Sequence, residues 1–194
     1  LAEIRRGSLP PRLLGKSVID EQIPKVNRIL EVAAEVLPKG TREACDVRIP
    51  LSGGGVLTGT LGGIEEGVLG TVTVSKLKPK QRLSAWVRLL VLTVSRPEVP
   101  WEAITVGQGG RGRICIARMG GLGGDVEERR ARALASLEVI VDLLRRGMRE
   151  PLPIFCGTSA AYFEALGTDR DPFAAAAAKF DSGFNFSGEI EDAE

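Results

Sequence analysis

Histidine is absent from all 194 residues of the chain. That absence removes Ser-His and Cys-His nucleophilic catalysis, every imidazole-based zinc site and the commonest general base. The hydrolytic chemistry still open is that of carboxylates and lysine around a hard cation such as Mg²⁺. Cysteine is scarce: Cys45, Cys115 and Cys156 lie far apart, each in or beside an apolar segment, with no Cys-x-x-Cys pair. Buried free thiols in a reducing compartment fit this pattern better than a disulfide framework or a zinc ribbon. No apolar run approaches the ~18 residues of a membrane span, and no signal peptide opens the sequence, so a cytoplasmic location is expected. A charge surplus is also missing, with 26 basic and 25 acidic residues giving a net charge of +1. Histone-like or tail-type binding of nucleic acid is thereby disfavoured, though a local basic patch is not.

What is present is apolar material, 43% of the chain, enough to build one well-cored domain without a metal or disulfide. The first residues are Leu-Ala-Glu, without methionine, and the last six are largely acidic, following Phe184 and Phe186. Both ends look cut, so the expectation is a fragment of a longer protein. The organisation expected is a single domain over 1–180 and an acidic extension over 181–194.

Local patterns predict the elements. Residues 1–19, with Arg5-Arg6-Gly7 and Pro10-Pro11, suggest an extended lead-in. Asp20 is expected to cap a helix whose apolar face is Val26, Ile29, Leu30, Ala33, Val36 and Leu37, ended by Pro38 and Gly40. A short strand over 44–50 precedes two β-rich runs, 56–64 and 68–74, joined by Glu65-Glu66-Gly67 in a turn. Leu83, Trp86, Val87, Leu90 and Val94 recur at helical spacing up to Pro97. Strands over 101–106 and 114–117 flank a glycine-rich turn. Asp125 caps a helix over 125–146, with Glu127 and Glu128 at its positive end and Arg145 and Arg146 at its negative end. Its apolar stripe is Val126, Leu134, Leu137, Ile140, Val141 and Leu144, and Gly147 stops it. Thr158 or Ser159 is expected to cap another helix reaching Leu166, and Asp171-Pro172 opens the last. The fold class is mixed α/β (α+β), without internal repeats.

Three motifs fail on context. Gly15-Lys16-Ser17 has Pro10 where a phosphate-binding loop needs its first glycine, and no strand precedes it. Gly107-x-Gly109-x-x-Gly112 is followed by strand residues rather than the helix on which a pyrophosphate would sit. Ser159 has Ala161 where a nucleophile elbow requires glycine.

One constellation carries more information. Leu57-Thr-Gly-Thr-Leu-Gly-Gly-Ile64, Leu69-Gly-Thr-Val-Thr-Val-Ser-Lys76 and Arg82-x-x-x-Trp86 form a strand–hairpin–strand–helix unit. It is similar in layout to the core of PD-(D/E)XK nucleases of the RecB type. In those enzymes two carboxylates hold a cation and a lysine assists the attacking water. Aligned on that layout, the first metal-binding Asp falls at Gly62 and the second at Val74. The lysine is kept as Lys76, while the helix Gln and Tyr fall at Arg82 and Trp86.

The loss of both carboxylates resembles the RecC family, the gamma subunits of exodeoxyribonuclease V. So do Arg5-Arg6-Gly-x-Leu-Pro-Pro11, Lys80-Gln-Arg-Leu-x-x-Trp86 and Arg146-Gly-Met-x-x-Pro-Leu-Pro153 with Thr158-Ser-Ala-Ala-Tyr162. The resemblance spans nearly the whole chain and implies a restriction-endonuclease-like core: a central mixed sheet with a β-hairpin, flanked by helices. It also implies a non-catalytic domain without metal or cofactor. The implied partners are a RecB-like beta subunit and a RecD-like alpha subunit, and through them double-stranded DNA ends or single-stranded DNA. The alternative is an active metal-dependent nuclease with displaced acids such as Glu65 or Glu102; a turn placement explains Glu65 and Glu66 better. Lys76, Lys78, Lys80 and Arg82 are candidates for phosphate contact, or else a solvated loop, and Lys80 and Arg82 fall in a helix's first turn. Arg111 and Arg113 on the glycine-rich turn are further DNA candidates. Trp86 fits the core stripe; Trp101 is open between core and partner surface.

Overall fold

The computed structural model describes residues 13–181, with the side chains of 13–18 and of Arg111 left out. The lead-in over 1–12 and the extension over 182–194 lie outside the described residues. A five-stranded mixed sheet is flanked by five helices, α1 (Leu13–Val36), α2 (Pro79–Ser95), α3 (Val126–Gly147), α4 (Cys156–Ala165) and α5 (Pro172–Phe180). The strands β1 (Glu43–Pro50), β2 (Val56–Glu65), β3 (Val68–Lys76), β4 (Glu102–Gln108) and β5 (Ile114–Met119) lie in sequence order across the sheet. Only β3 and β4 run parallel, because α2 carries the chain back between them.

The sheet buries both faces. On one, Leu89, Leu90, Leu92 and Val94 of α2 pack with Ala133 and Leu137 of α3 over Val47, Ile49, Leu69 and Ala103. On the other, Ile29 and Ala33 of α1 and Leu37 just past its end cover Ile104 and Val106. The five middle residues of β4 are accordingly all buried, as expected of a strand covered on both sides. Asp125 caps α3 by accepting from Glu128 N at 2.9 Å, and Asp171 caps α5 by accepting from Phe173 N at 2.9 Å. Ser52 N donates to Glu138 Oε1 at 2.9 Å, pinning the β1–β2 loop to α3 and holding the Glu138 carboxyl below its usual range.

Several expectations are corrected. α1 begins by Leu13, so Asp20 lies inside it and caps nothing, and no extended lead-in reaches residue 19. Its buried positions sit in its C-terminal half; once docked there, a helix lengthens at little cost per residue. α4 starts at Cys156 with Phe155 in the capping place and no side-chain cap bond, so neither Thr158 nor Ser159 opens it. Gly147 is the last residue of α3, with Met148 in the capping place. The α3 stripe is core only at its middle, since Val126 and Leu144 are exposed. Trp101 is buried, with Nε1 donating to Arg96 O at 2.7 Å, and faces no partner. The 107–113 glycines do form a hairpin turn between β4 and β5, through a short 3₁₀ segment.

Candidate functional site

The β2–β3 hairpin turns through Glu66 and Gly67, whose φ angles of 46° and 81° make a two-residue turn of the kind that matches strand twist. The turn is one residue shorter than the sequence suggests. Glu65 is therefore the last residue of β2, and it is buried rather than displayed in a turn.

Pairing between the two strands is brief. Only Glu65↔Val68 and Ile64↔Leu69 are partners. At Gly63 the backbone takes φ +79°, and a Cβ there would stand 2.5 Å from Gly70 O. Past this point β2 follows β1 and β3 follows β4, so the hairpin opens into a fork.

The positions aligned with the metal acids lie in that fork and are not brought together. Gly62 is exposed on β2 and pairs with Ala44 of β1. Val74 is 56% exposed, near the far end of β3. A residue that the sequence did not single out fills the head of the fork: Arg88 of α2. Its Nη1 donates to Thr71 Oγ1 of β3 and its Nη2 donates to Gly62 O of β2, each at 2.8 Å. A guanidinium thus spans the two strands beside the place where the resemblance would set a cation. The residues present do not fit a divalent metal there: among the described residues no cluster of acids gathers at the fork, and the Arg88 guanidinium occupies its head. Among the described residues no three acidic or cysteine side chains gather to hold a metal. Arg88 left no local signal, because its partners are 17 and 26 residues away.

Lys76 ends β3 exposed, paired in register with Gln108 of β4. Leu77 N donates to Gln108 O at 2.8 Å, and Gly109 N donates to Arg113 O at 2.7 Å. Lys76 and the turn carrying exposed Arg113 therefore share one end of the sheet; the Arg111 side chain lies outside the described part. Lys78 precedes the first residue of α2, its N donating to Gln81 Oε1 at 3.1 Å. Lys80 and Arg82 do fall in the first turn of α2, and both are exposed. Arg82 is engaged, Nη2 lying 2.8 Å from Glu164 Oε1 of α4. Trp86 is half-buried against the core, as its spacing predicts.

The acids lie at the other end. Glu65 and Glu102 both stand at the level of Val68, and Lys76 stands at the level of Gln108, six residues further along β4 or about 20 Å at ~3.3 Å per residue. Glu102 is already paired with Arg118 at 3.5 Å. Glu65 is 6% exposed, with Oε2 3.8 Å from Arg42 Nε and Oε1 without a hydrogen-bond partner. A buried polar atom left so costs about 1–3 kcal/mol. Displaced acids and the retained lysine do not meet.

A third feature is apolar. Phe163 of α4 and Phe173 of α5 are each 74% exposed, Met148 is 80% exposed and Leu144 63%. The two short helices hold each other through edge-on ring contacts, Tyr162–Phe173 at 5.3 Å and Phe155–Phe180 at 5.1 Å. Large apolar side chains left in water are a mark of contact surfaces.

Comparison with known proteins agrees over most of the chain. The family model of the RecC C-terminal domain matches residues 2–167. The chain is 39% identical over 175 residues to RecBCD enzyme subunit RecC of Mycolicibacterium smegmatis, covering 88% of this chain and 15% of that protein. To the same-named subunit of Mycobacterium tuberculosis it is 36% identical over 172 residues, covering 89% of this chain and 15% of that protein. The chain thus spans about 15% of the length of the relatives it matches. It belongs to the RecC C-terminal domain family.

Proposed function

We propose that this chain is a non-catalytic C-terminal module of a RecBCD-type helicase–nuclease. In this reading it serves double-strand DNA end processing and recombinational repair by subunit docking and DNA guidance. The observation that carries the reading is Arg88, whose guanidinium ties Gly62 to Thr71 where a nuclease of this layout would hold its metal. Chemistry that needs two carboxylates and a lysine around one cation has no place to happen in this hairpin.

What remains are surfaces. Exposed Phe163 and Phe173 suit docking against a RecB-like beta or RecD-like alpha subunit, where apolar anchors carry most of the binding energy. Lys76 with Arg113 at one sheet end suits phosphate contact, which positions DNA without reading its sequence. Lys78 and Lys80 extend that basic end, while Arg82 joins it only by leaving Glu164.

The test compares two variants of the assembled complex. Phe163→Ser with Phe173→Ser is expected to lower recovery of the complex about tenfold or more, the loss of one strong apolar anchor. Arg88→Met is expected to leave the cleavage rate of the fully assembled complex unchanged. Full assembly of the first variant, or loss of cleavage by the second, contradicts the reading.

A further inference from the structure

We propose that the open edge of β5 takes up an extended segment of a partner subunit as a sixth strand of the sheet. The proposal rests on the docking reading above and adds a contact made through backbone to the apolar one at Phe163 and Phe173. β5 closes the strand order, with β4 along one edge and, among the described residues, no strand along the other.

The register shows which of its groups face outward. Gly109 N donates to Arg113 O, and on the far side of β4 Leu77 N donates to Gln108 O. Bonding alternates along an antiparallel pair, so Cys115, Ala117 and Met119 bond to β4 opposite Gly107, Thr105 and Ala103. The N–H and C=O groups of Ile114, Ile116 and Arg118 therefore point away from the sheet, and no bond joins them to another described residue.

The opposite edge is guarded against such pairing. In β1, Leu51 N donates to Gly55 O, and the same alternation turns Asp46, Arg48 and Pro50 outward. Pro50 has no N–H to offer, its outward neighbours are charged, and a bulge interrupts the strand between Glu43 and Ala44. Proline, charge and bulges are what keep an edge from pairing. β5 has no proline and an unbroken register, and its one charged residue, Arg118, is held 3.5 Å from Glu102 of β4.

The chemistry of this edge selects its occupant. Donors and acceptors alternate along it in equal number, which another strand matches. A helix has already bonded its own backbone groups, and a DNA phosphate only accepts, leaving the carbonyls unmatched. Beside Ile116, 40% exposed, the incoming strand favours an apolar side chain; on the other face Cys115 and Ala117 are small and half-buried, with room for a bulky one. β5 has six residues, about 20 Å at ~3.3 Å per residue. That strip is too short for the ~1,200 Å² of a stable interface between two copies joined only there. It suits one contact within a larger assembly.

Hydrogen exchange resolved to single residues compares the full-length chain alone with the assembled complex. The amides of Ile116 and Arg118 are expected to exchange at least about tenfold more slowly in the complex, while those of Cys115 and Ala117 are slow in both. Equal rates in the two samples overturn the proposal. So does slow exchange in the full-length chain alone, which would mean a strand supplied by the chain itself or by a second copy. Ile116→Pro removes the outward N–H while sparing the bonds to β4, and is expected to weaken assembly about tenfold. Ile116→Thr keeps that N–H and is expected to weaken it less than about threefold. Equal losses by the two variants, or none, overturn the proposal; should the proline unfold the chain, the exchange comparison decides alone. Failure of the strand contact in a complex that still depends on Phe163 and Phe173 leaves the docking reading standing. Assembly indifferent to those phenylalanines removes that reading instead.

Discussion

The two ends of β3 share one strand and gather different side chains: acids, two of them paired with arginines, at one end, and lysine and arginine at the other. At the Val68 end, Glu65, Glu66 and Glu102 collect, and one of them is buried with an oxygen unmatched. Toward the Lys76 end the hairpin forks, Arg88 ties the fork, and the nearby charges are Lys76, Lys78 and Arg113. Metal-dependent hydrolysis needs acid and lysine within a few ångströms of one ion. Here the sheet keeps them about 20 Å apart, the six-residue span of β4 from Glu102 to Gln108 at ~3.3 Å per residue. The residue types that a nuclease gathers around one ion are held at separate ends of the strand.

The comparison breaks most readily at Gly63, where the fork begins. Gly63→Ala forces a side chain into left-handed backbone against Gly70 O, so a loss of roughly 2–3 kcal/mol is expected in denaturant unfolding. A loss below about 0.5 kcal/mol, the range of ordinary surface changes, would mean the fork is not set there. Arg88→Ala should follow with about 1–2 kcal/mol, since two hydrogen bonds from a charged, half-buried group go. Arg88→Lys should recover less than half, because a point ammonium does not span both strands; full recovery would reduce the tie to simple charge.

The basic end gives a subtler signature. Lys76→Ala with Arg113→Ala is expected to lower the DNA affinity of the complex and flatten its salt dependence by about one unit of slope per lost phosphate contact. An unchanged slope removes both residues from the DNA path. Arg82→Ala breaks an exposed ion pair with Glu164 and is expected to cost under about 0.5 kcal/mol; a larger cost would show that the pair anchors α4. Smallest is an acid effect on the β1–β2 loop. The bond from Ser52 N holds the Glu138 carboxyl below its usual range, so the contact is present above that range and lost as pH falls through it. Hydrogen exchange at Ser52 should quicken, relative to its neighbours, only in acid.

Features set by neighbouring residues were legible in the sequence: the hairpin, the Asp125 and Asp171 caps, the core position of Trp86, and the strand rather than helix after the 107–112 glycines. Features set by distant packing were not. Asp20 has the chemistry of a cap, but α1 is anchored by Ile29, Ala33 and Leu37 against β4 and runs on past it. Glu65 looks like part of a turn until the tight Glu66–Gly67 geometry returns it to the strand and so to the interior. That Gly62 and Val74 carry no carboxylate is plain from the sequence. That an arginine from α2 ties the same fork could not be read there, because nothing local distinguishes Arg88 from any other helix arginine.

Cleavage by the assembled complex tests the proposed reading most directly, once the nuclease centre expected in its RecB-like partner has been inactivated by substitution. Incubated with linear duplex DNA and Mg²⁺ or Mn²⁺, that complex is expected to leave the DNA intact. Metal-dependent cleavage that disappears on Glu65→Ala or Glu102→Ala would contradict the account and place an active centre in this domain.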